Sequence, residues 1–287
     1  MLNMIRFTKM QGLGNDYVYI DCTKMEEEEI AIISKLAKKI SDRHFGVGSD
    51  GLILICKSDI ADFKMTMFNS DGSQSEMCGN GIRCVGKFVY DKGLTTKTEL
   101  LVETLAGIKK LKLIVEDGVV NSVTVDMGSP ILEPKLIPVI SNEEIVKNLS
   151  IHVIDQDFIF TCVSMGNPHA VAFVKDVDNF DVEKYGSILE VDEHFPKRAN
   201  IEFVEIVDQT TVKMRVWERG TGKTLACGTG ACATVIACTL NNLVKNNEVI
   251  KVKLLGGDLD IKWDKSVYMT GNARTVFEGE ILEEIIK

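Results

Sequence analysis

The chain of 287 residues is short of positive charge: 33 Lys and Arg stand against 42 Asp and Glu, a formal net charge of −9. A face that grips nucleic acid or an anionic membrane surface needs a basic excess, so neither partner is expected. Long apolar runs are missing as well, and none approaches the ~20 residues that span a bilayer. The opening Met1-Leu2-Asn3-Met4-Ile5-Arg6 lacks the apolar stretch of a secretion signal, which sets the expectation of a cytoplasmic protein. No two of the eight cysteines have Cys-x-x-Cys spacing, and the four histidines (His44, His152, His169, His194) do not cluster with them. That spacing argues against a zinc ribbon or a dithiol redox motif, and no metal is expected. Eight cysteines without a secretion signal are expected as reduced thiols.

What the chain does have is a repeated phrase. Cys78-Gly79-Asn80-Gly81 returns as Cys227-Gly228-Thr229-Gly230, an offset of 149 (227 less 78). Two further echoes keep nearly the same offset and the same order. Gly14-Asn15-Asp16-Tyr17 is answered by Gly166-Asn167-Pro168-His169, and Lys64-Met65 through Asn69 by Lys213-Met214 through Glu218. Three ordered echoes point to an internal duplication.

Strands are expected where β-branched and aromatic residues run together: 17–21, 51–56, 63–68, 111–115, 120–125, 170–174, 201–207 and 211–217. Residues 28–41 carry Ile30, Ile33, Leu36, Ala37 and Ile40 at helical spacing and predict one amphipathic helix. Each cysteine phrase opens a further helix. After Gly81, Ile82, Val85, Phe88 and Val89 repeat at helical spacing; after Gly230, residues 231–240 are small or apolar on all sides, the mark of a buried helix. Each half is therefore expected to wrap a sheet around a central helix. Pro130, Pro134 and Pro138 mark the passage between halves.

The chemistry follows from what a helix start offers. Its unpaired N–H groups and partial positive charge stabilise an anion, bind carboxylates and lower a cysteine's pKa. Glycine allows a ligand close to the backbone. Two such turns could hold an amino-acid carboxylate while one thiolate removes a proton and the other thiol delivers one to the opposite face. That is the chemistry of a cofactor-free racemase or epimerase, with Cys78 and Cys227 as its acid/base pair. Cys22, Cys56, Cys84, Cys162, Cys232 and Cys238 read as small core residues.

At these residues the chain resembles the diaminopimelate epimerase family. The resemblance is carried by Met10-Gln11-Gly12-Leu13-Gly14-Asn15-Asp16, Phe68-Asn69-Ser70-Asp71-Gly72-Ser73, Met77-Cys78-Gly79-Asn80-Gly81, Ser164-Met165-Gly166-Asn167-Pro168-His169, Arg198-Ala199-Asn200-Ile201, Trp217-Glu218-Arg219-Gly220 and Ala226-Cys227-Gly228-Thr229-Gly230-Ala231. It implies interconversion of LL- and meso-diaminopimelate, an amino-acid substrate of lysine and peptidoglycan synthesis, with no cofactor. It implies an α/β (α+β) fold of two pseudo-symmetric domains, each a mixed, mostly antiparallel sheet around a central helix. On this basis one domain is expected over 1–127 with a C-terminal strand at 275–287, the other over 128–274, with the site in the cleft between them, and a homodimer. By the same resemblance, the amides of Gly79, Asn80, Gly228 and Thr229 would hold the substrate carboxylate. Asn15, Asn69, Asn167, Asn200, Glu218 and Arg219 would bind its other polar groups, and His169 and Glu218 would support catalysis. One departure stands out: Gly51 follows Asp50 where some members carry glutamine. Relatives with this fold racemise other amino acids, so a proline- or histidine-type racemase is the alternative reading.

Overall fold

The computed structural model describes residues 4–282; the end of the expected C-terminal strand, 283–287, lies outside the described residues. The chain divides into two compact units, one running to Val125 and resuming at Gly271, the other comprising Asp126–Thr270. In chain order the first holds β1 (Met4–Gly12), β2 (Asn15–Asp21), α1 (Glu27–Lys35), α2 (Ala37–Ser41), β3 (Gly51–Cys56), β4 (Phe63–Asn69), β5 (Gln74–Ser75), α3 (Gly79–Asp91), β6 (Glu99–Thr104), β7 (Gly107–Glu116) and β8 (Val119–Asp126). The second holds β9 (Leu149–Val153), β10 (Gln156–Ser164), β11 (Pro168–Phe173), α4 (Val182–Leu189), β12 (Asn200–Asp208), β13 (Thr211–Glu218), β14 (Gly222–Lys223), α5 (Gly228–Leu240), β15 (Val249–Leu254), β16 (Gly257–Trp263) and β17 (Val267–Asn272). β18 (Arg274–Leu282) belongs to the first unit and pairs with β1.

The duplication is complete at the level of strand pairing. In the first unit β1 pairs antiparallel with β18 and β2, β2 runs parallel to β3, and β3 pairs antiparallel with β4. β4 then runs parallel to β6, and β6–β7–β8 form a meander. The second unit repeats every step: β10 with β9 and β11, β11 parallel to β12, β12 with β13, β13 parallel to β15, then β15–β16–β17. Register repeats too, since Tyr17 stands opposite Gly51 and His169 opposite Asn200.

Helix α3 packs on β1, β2 and β7, so the first sheet curls around it; α5 is likewise surrounded by β10 to β13, β15 and β16. The middle strand of each unit is covered on both faces. All six residues of β3 are buried, as are Asn200 to Val204 of β12. Alternation along β3 sends Leu52 and Leu54 into a core shared with Ile33, Ala37 and Ile40 of α1 and α2. Ile53 points to the other face, where it meets Gly81 of α3. In β12, Ile201 and Phe203 enter the outer core with Tyr185 and Leu189 of α4, leaving Glu202 to face α5.

One expected helix is two: 28–41 breaks at Leu36, whose N–H closes back on Ile33 O at 3.0 Å. α2 lies against β2, β3 and β4, whereas α1 packs on α2, so the turn at Leu36 re-aims the chain onto the sheet. Among the described residues no helix is long and apolar enough to cross a membrane.

Candidate active site

Cys78 is the N-cap of α3, with extended backbone (φ −129, ψ 120), and its sulfur accepts the N–H of Gly81 at 3.4 Å. The thiol donates to Asn15 Oδ1 at 3.1 Å, and Asn15 Nδ2 donates to Asp50 Oδ2 at 2.8 Å. Arg43 bonds both Asp50 and Asp16 at 2.8 Å, which anchors that carboxylate. The Tyr17 hydroxyl also bonds the thiol. Arg83, fully buried one turn into α3, donates to Gly79 O at 3.1 Å. Asn69 donates to Ser73 Oγ at 3.0 Å at the end of β4, and the Asn80 side chain is buried.

Cys227 caps α5 in the same way (φ −116, ψ 113) and accepts the N–H of Gly230 at 3.3 Å. The Thr229 hydroxyl lies 3.5 Å from its sulfur and accepts from Asn167 Nδ2 at 3.4 Å. Asn167 Oδ1 is 3.0 Å from His169 Nε2, and His169 Nδ1 is 2.6 Å from Glu202 Oε1. Glu218 accepts the Thr224 hydroxyl and also bonds the Cys227 thiol. Asn200 braces the backbone, donating to Pro168 O at 2.8 Å and accepting the Arg219 N–H at 3.0 Å. The Arg219 guanidinium is exposed and bonds Lys197 O at 3.2 Å, and among the described residues it forms no ion pair with a carboxylate.

The expected lowering of the two cysteine pKa values is not what the folded chain does. Burial pushes the Cys78 thiol above its ordinary 9.0, outweighing the amides of Gly81 and Asn80, the Tyr17 hydroxyl and the Arg83 charge. Burial, reinforced by the carboxylates of Glu218 and Glu202, pushes Cys227 well above 9.0. A helix start stabilises a thiolate, but loss of water costs the charged form more. Burial also holds the Glu218 carboxyl above its ordinary 4.5. The other six cysteines are all buried thiols. Among the described residues no group of three or more His, Cys, Asp or Glu could hold a metal ion.

Gly51 has a steric reason. A Cβ there would stand 2.1 Å from Phe68 O and 2.8 Å from the Tyr17 ring, so no side chain fits without moving β4. Tyr17, Asp50, Arg83 and Glu202 were not anticipated as site residues. Glu202 had a signal, since it is the one polar residue in 201–204 and matches Ile53 at the duplication offset (202 less 53 is 149).

Two sheets, each wrapped around a central helix, make a fold that solved structures share. A phenazine biosynthesis protein of the PhzF family from Bacillus anthracis matches with a TM-score of 0.71 and 19% identity, covering 98% of this chain and 100% of that one. A hydroxyproline epimerase from Agrobacterium vitis matches with a TM-score of 0.69 and 14% identity, covering 98% and 93%. Sequence narrows the class. The family model for diaminopimelate epimerase matches residues 7–133 and 161–276. Diaminopimelate epimerases of Acetivibrio thermocellus and Methanococcus maripaludis are 59% and 58% identical, each over 96% of this chain and 98% and 99% of their own. The chain belongs to the diaminopimelate epimerase family.

Proposed function

We propose that this protein interconverts LL- and meso-diaminopimelate without a cofactor, using Cys78 and Cys227 as a two-thiol acid/base pair. The observation that carries the reading is the doubled N-cap: each sulfur sits at a helix start and receives the N–H of the glycine three residues on. One thiolate takes the α-hydrogen, and the opposite thiol protonates the resulting carbanion on its other face. The two sulfurs exchange protonation states with each turnover. Burial favours the neutral thiol, which suits the acid, while the glycine amides offset the cost of the charged base. The N-terminal amides of Gly79, Asn80, Gly228 and Thr229 bind the carboxylate next to the carbanion, where charge accumulates. Asn15, Asn69 and Asn167 supply amide contacts, Glu218 meets an ammonium group, and the exposed Arg219 fork suits the distal carboxylate. Asn200 holds the Arg219 backbone for that task.

The test is α-proton exchange in D2O followed by NMR under reducing conditions, with LL-diaminopimelate beside L-proline, L-histidine and L-lysine. Deuterium should enter diaminopimelate alone as the meso isomer forms, and Cys78→Ala and Cys227→Ala should each abolish epimerisation. Turnover retained in both single variants would sink the two-thiol mechanism; exchange in another amino acid instead would overturn the substrate. The reading includes a cytoplasmic homodimer, which sedimentation and fractionation would check.

A further inference from the structure

The two cysteine turns are matched in backbone but not in what lies beneath them. Under Gly81 of α3 the sheet presents Ile53; under Gly230 of α5 the equivalent strand position presents Glu202. Glu202 is 0% exposed, and the bound it makes with His169 joins two side chains that are both wholly buried. Among the described residues, its carboxyl group has one hydrogen-bond partner, His169 Nδ1, and Oε2 has none. A carboxyl group so placed costs stability where isoleucine serves in the other half, so a role beyond packing is called for.

The bonds fix where the histidine carries its hydrogen. Asn167 Nδ2 is turned to the Thr229 hydroxyl, so Asn167 Oδ1 is the atom facing His169 Nε2. An oxygen acceptor there requires an N–H on Nε2. On the other side, one hydrogen lies between Nδ1 and Glu202 Oε1, at 2.6 Å. Whichever of those two atoms holds it, Nε2 keeps its own. From Glu202 the contacts then run unbroken through His169, Asn167 and Thr229 to the Cys227 sulfur.

We propose that Glu202 is a positioning residue for the Cys227 half-reaction: it holds His169 with a hydrogen on Nε2, and so makes His169 a fixed donor that orients the Asn167 amide and the Thr229 hydroxyl at the thiol. His169 is then not itself a proton acceptor from Cys227. The inference rests on the two-thiol reading above. It explains why the second unit carries histidine at the position of Tyr17 and a carboxylate at that of Ile53, since a tyrosine needs no partner to choose its tautomer.

Two variants and one spectrum test it. Glu202→Ile copies the residue found in the other half, which fits the same kind of site. It leaves Nδ1 without a partner, so only the Asn167 amide still favours a hydrogen on Nε2, and a turn of that amide lets the ring carry its hydrogen on Nδ1 instead. The turnover number should fall by about 10- to 100-fold, as when a carboxylate that orients a metal-ligating histidine is removed, with KM little changed. Glu202→Gln can donate its amide to Nδ1 and keep the hydrogen on Nε2, so it should recover most of that loss. Nitrogen-15 NMR of histidine-labelled wild-type protein, with His169 assigned through His169→Gln, should show Nε2 protonated. The inference is overturned if Glu202→Ile turns over within twofold of wild type, if Glu202→Gln is no better than Glu202→Ile, or if wild-type Nε2 is bare. The spectrum does not depend on turnover. Cys227→Ala measured in parallel shows whether a failure belongs to the two-thiol reading instead.

Discussion

Gly230→Ala isolates the geometry of the Cys227 turn. A Cβ at this position would stand 2.7 Å from Glu202 Oε1, 3.2 Å from Cys227 Cβ and 3.3 Å from its sulfur. Ordinary carbon–oxygen contact begins near ~3.3 Å, so about 0.6 Å must be found. Glu202 is buried and tied to His169, which leaves little room for it to retreat. Either the carboxylate leaves His169, or the start of α5 lifts with the thiol. Overpacking of this kind costs about 1–3 kcal/mol, and alanine's better helix propensity returns up to about 1 kcal/mol. The net loss of stability is therefore about 0–3 kcal/mol. Catalysis is less forgiving, because a displacement near 1 Å at a reacting group costs about 100-fold. We expect kcat to fall by about 10- to 100-fold while the thermal midpoint shifts by only a few degrees. The control is Gly81→Ala in the other half, where the new Cβ meets Ile53 Cδ1 at 2.8 Å, the movable end of a side chain. Turning Ile53 off its rotamer costs about 0.5–1.5 kcal/mol, so activity should drop by roughly tenfold at most. Epimerisation rates and melting curves of both variants decide it. Gly230→Ala within threefold of wild type, or more active than Gly81→Ala, would refute the reasoning.

Three further outcomes follow from the site and the cores. Glu218→Gln removes a negative charge that raises the Cys227 pKa, so that thiol should ionise at lower pH; iodoacetamide labelling of the Cys227 peptide across pH, read by mass spectrometry, should shift downward, and an upward shift would contradict the assignment. Asp16 is partly buried, which opposes its charge, but Arg43 and Lys9 hold its carboxyl below the ordinary 3.8. Its contribution to stability is thus present at neutral pH and lost as pH falls below 3.8 through the folded-state value, and Asp16→Asn should flatten the acid limb of a stability–pH curve. Phe203 is fully buried, with its ring centroid 4.4 Å from that of Phe180 and 5.8 Å from that of Phe158; Phe203→Ala should cost about 3–5 kcal/mol in urea unfolding.

Some of the architecture was legible because its signal is local. The cysteine phrases open helices since Gly-x-Gly frees the first turn and the apolar spacing after it repeats at 3.6. Helix α5 was recognisable as buried because residues 231–240 offer no polar face. Strand β1 was hidden by Lys9, whose charge interrupts an otherwise inward-facing run; Asp16, brought alongside on β2, and the Gly48 carbonyl make that lysine tolerable inside. β15 and β16 were passed over although Ile250, Val252, Leu254, Leu259 and Ile261 alternate inward. The break at Leu36 could not be read from periodicity, because Ile33, Ala37 and Ile40 keep helical spacing across it. Of the candidate site residues, Asn15, Asn167 and His169 do lie in hydrogen-bonded chains leading to a cysteine, within their own units. Asn200 serves first as a brace, and the Arg219 guanidinium stands at the surface.

The amino-acid sequence by itself determined the duplication, the two N-cap cysteines and the helices they open, because each depends on residues within a few positions of one another. Only the tertiary structure decided how those thiols are poised. Whether a helix start lowers a thiol's pKa depends on how much water burial removes, and burial is set by strands far away in the chain. The same holds for Glu202, in sequence only a lone charge among apolar neighbours, which became the carboxylate beneath Cys227 because β12 is covered on both faces and had no solvent side to send it to.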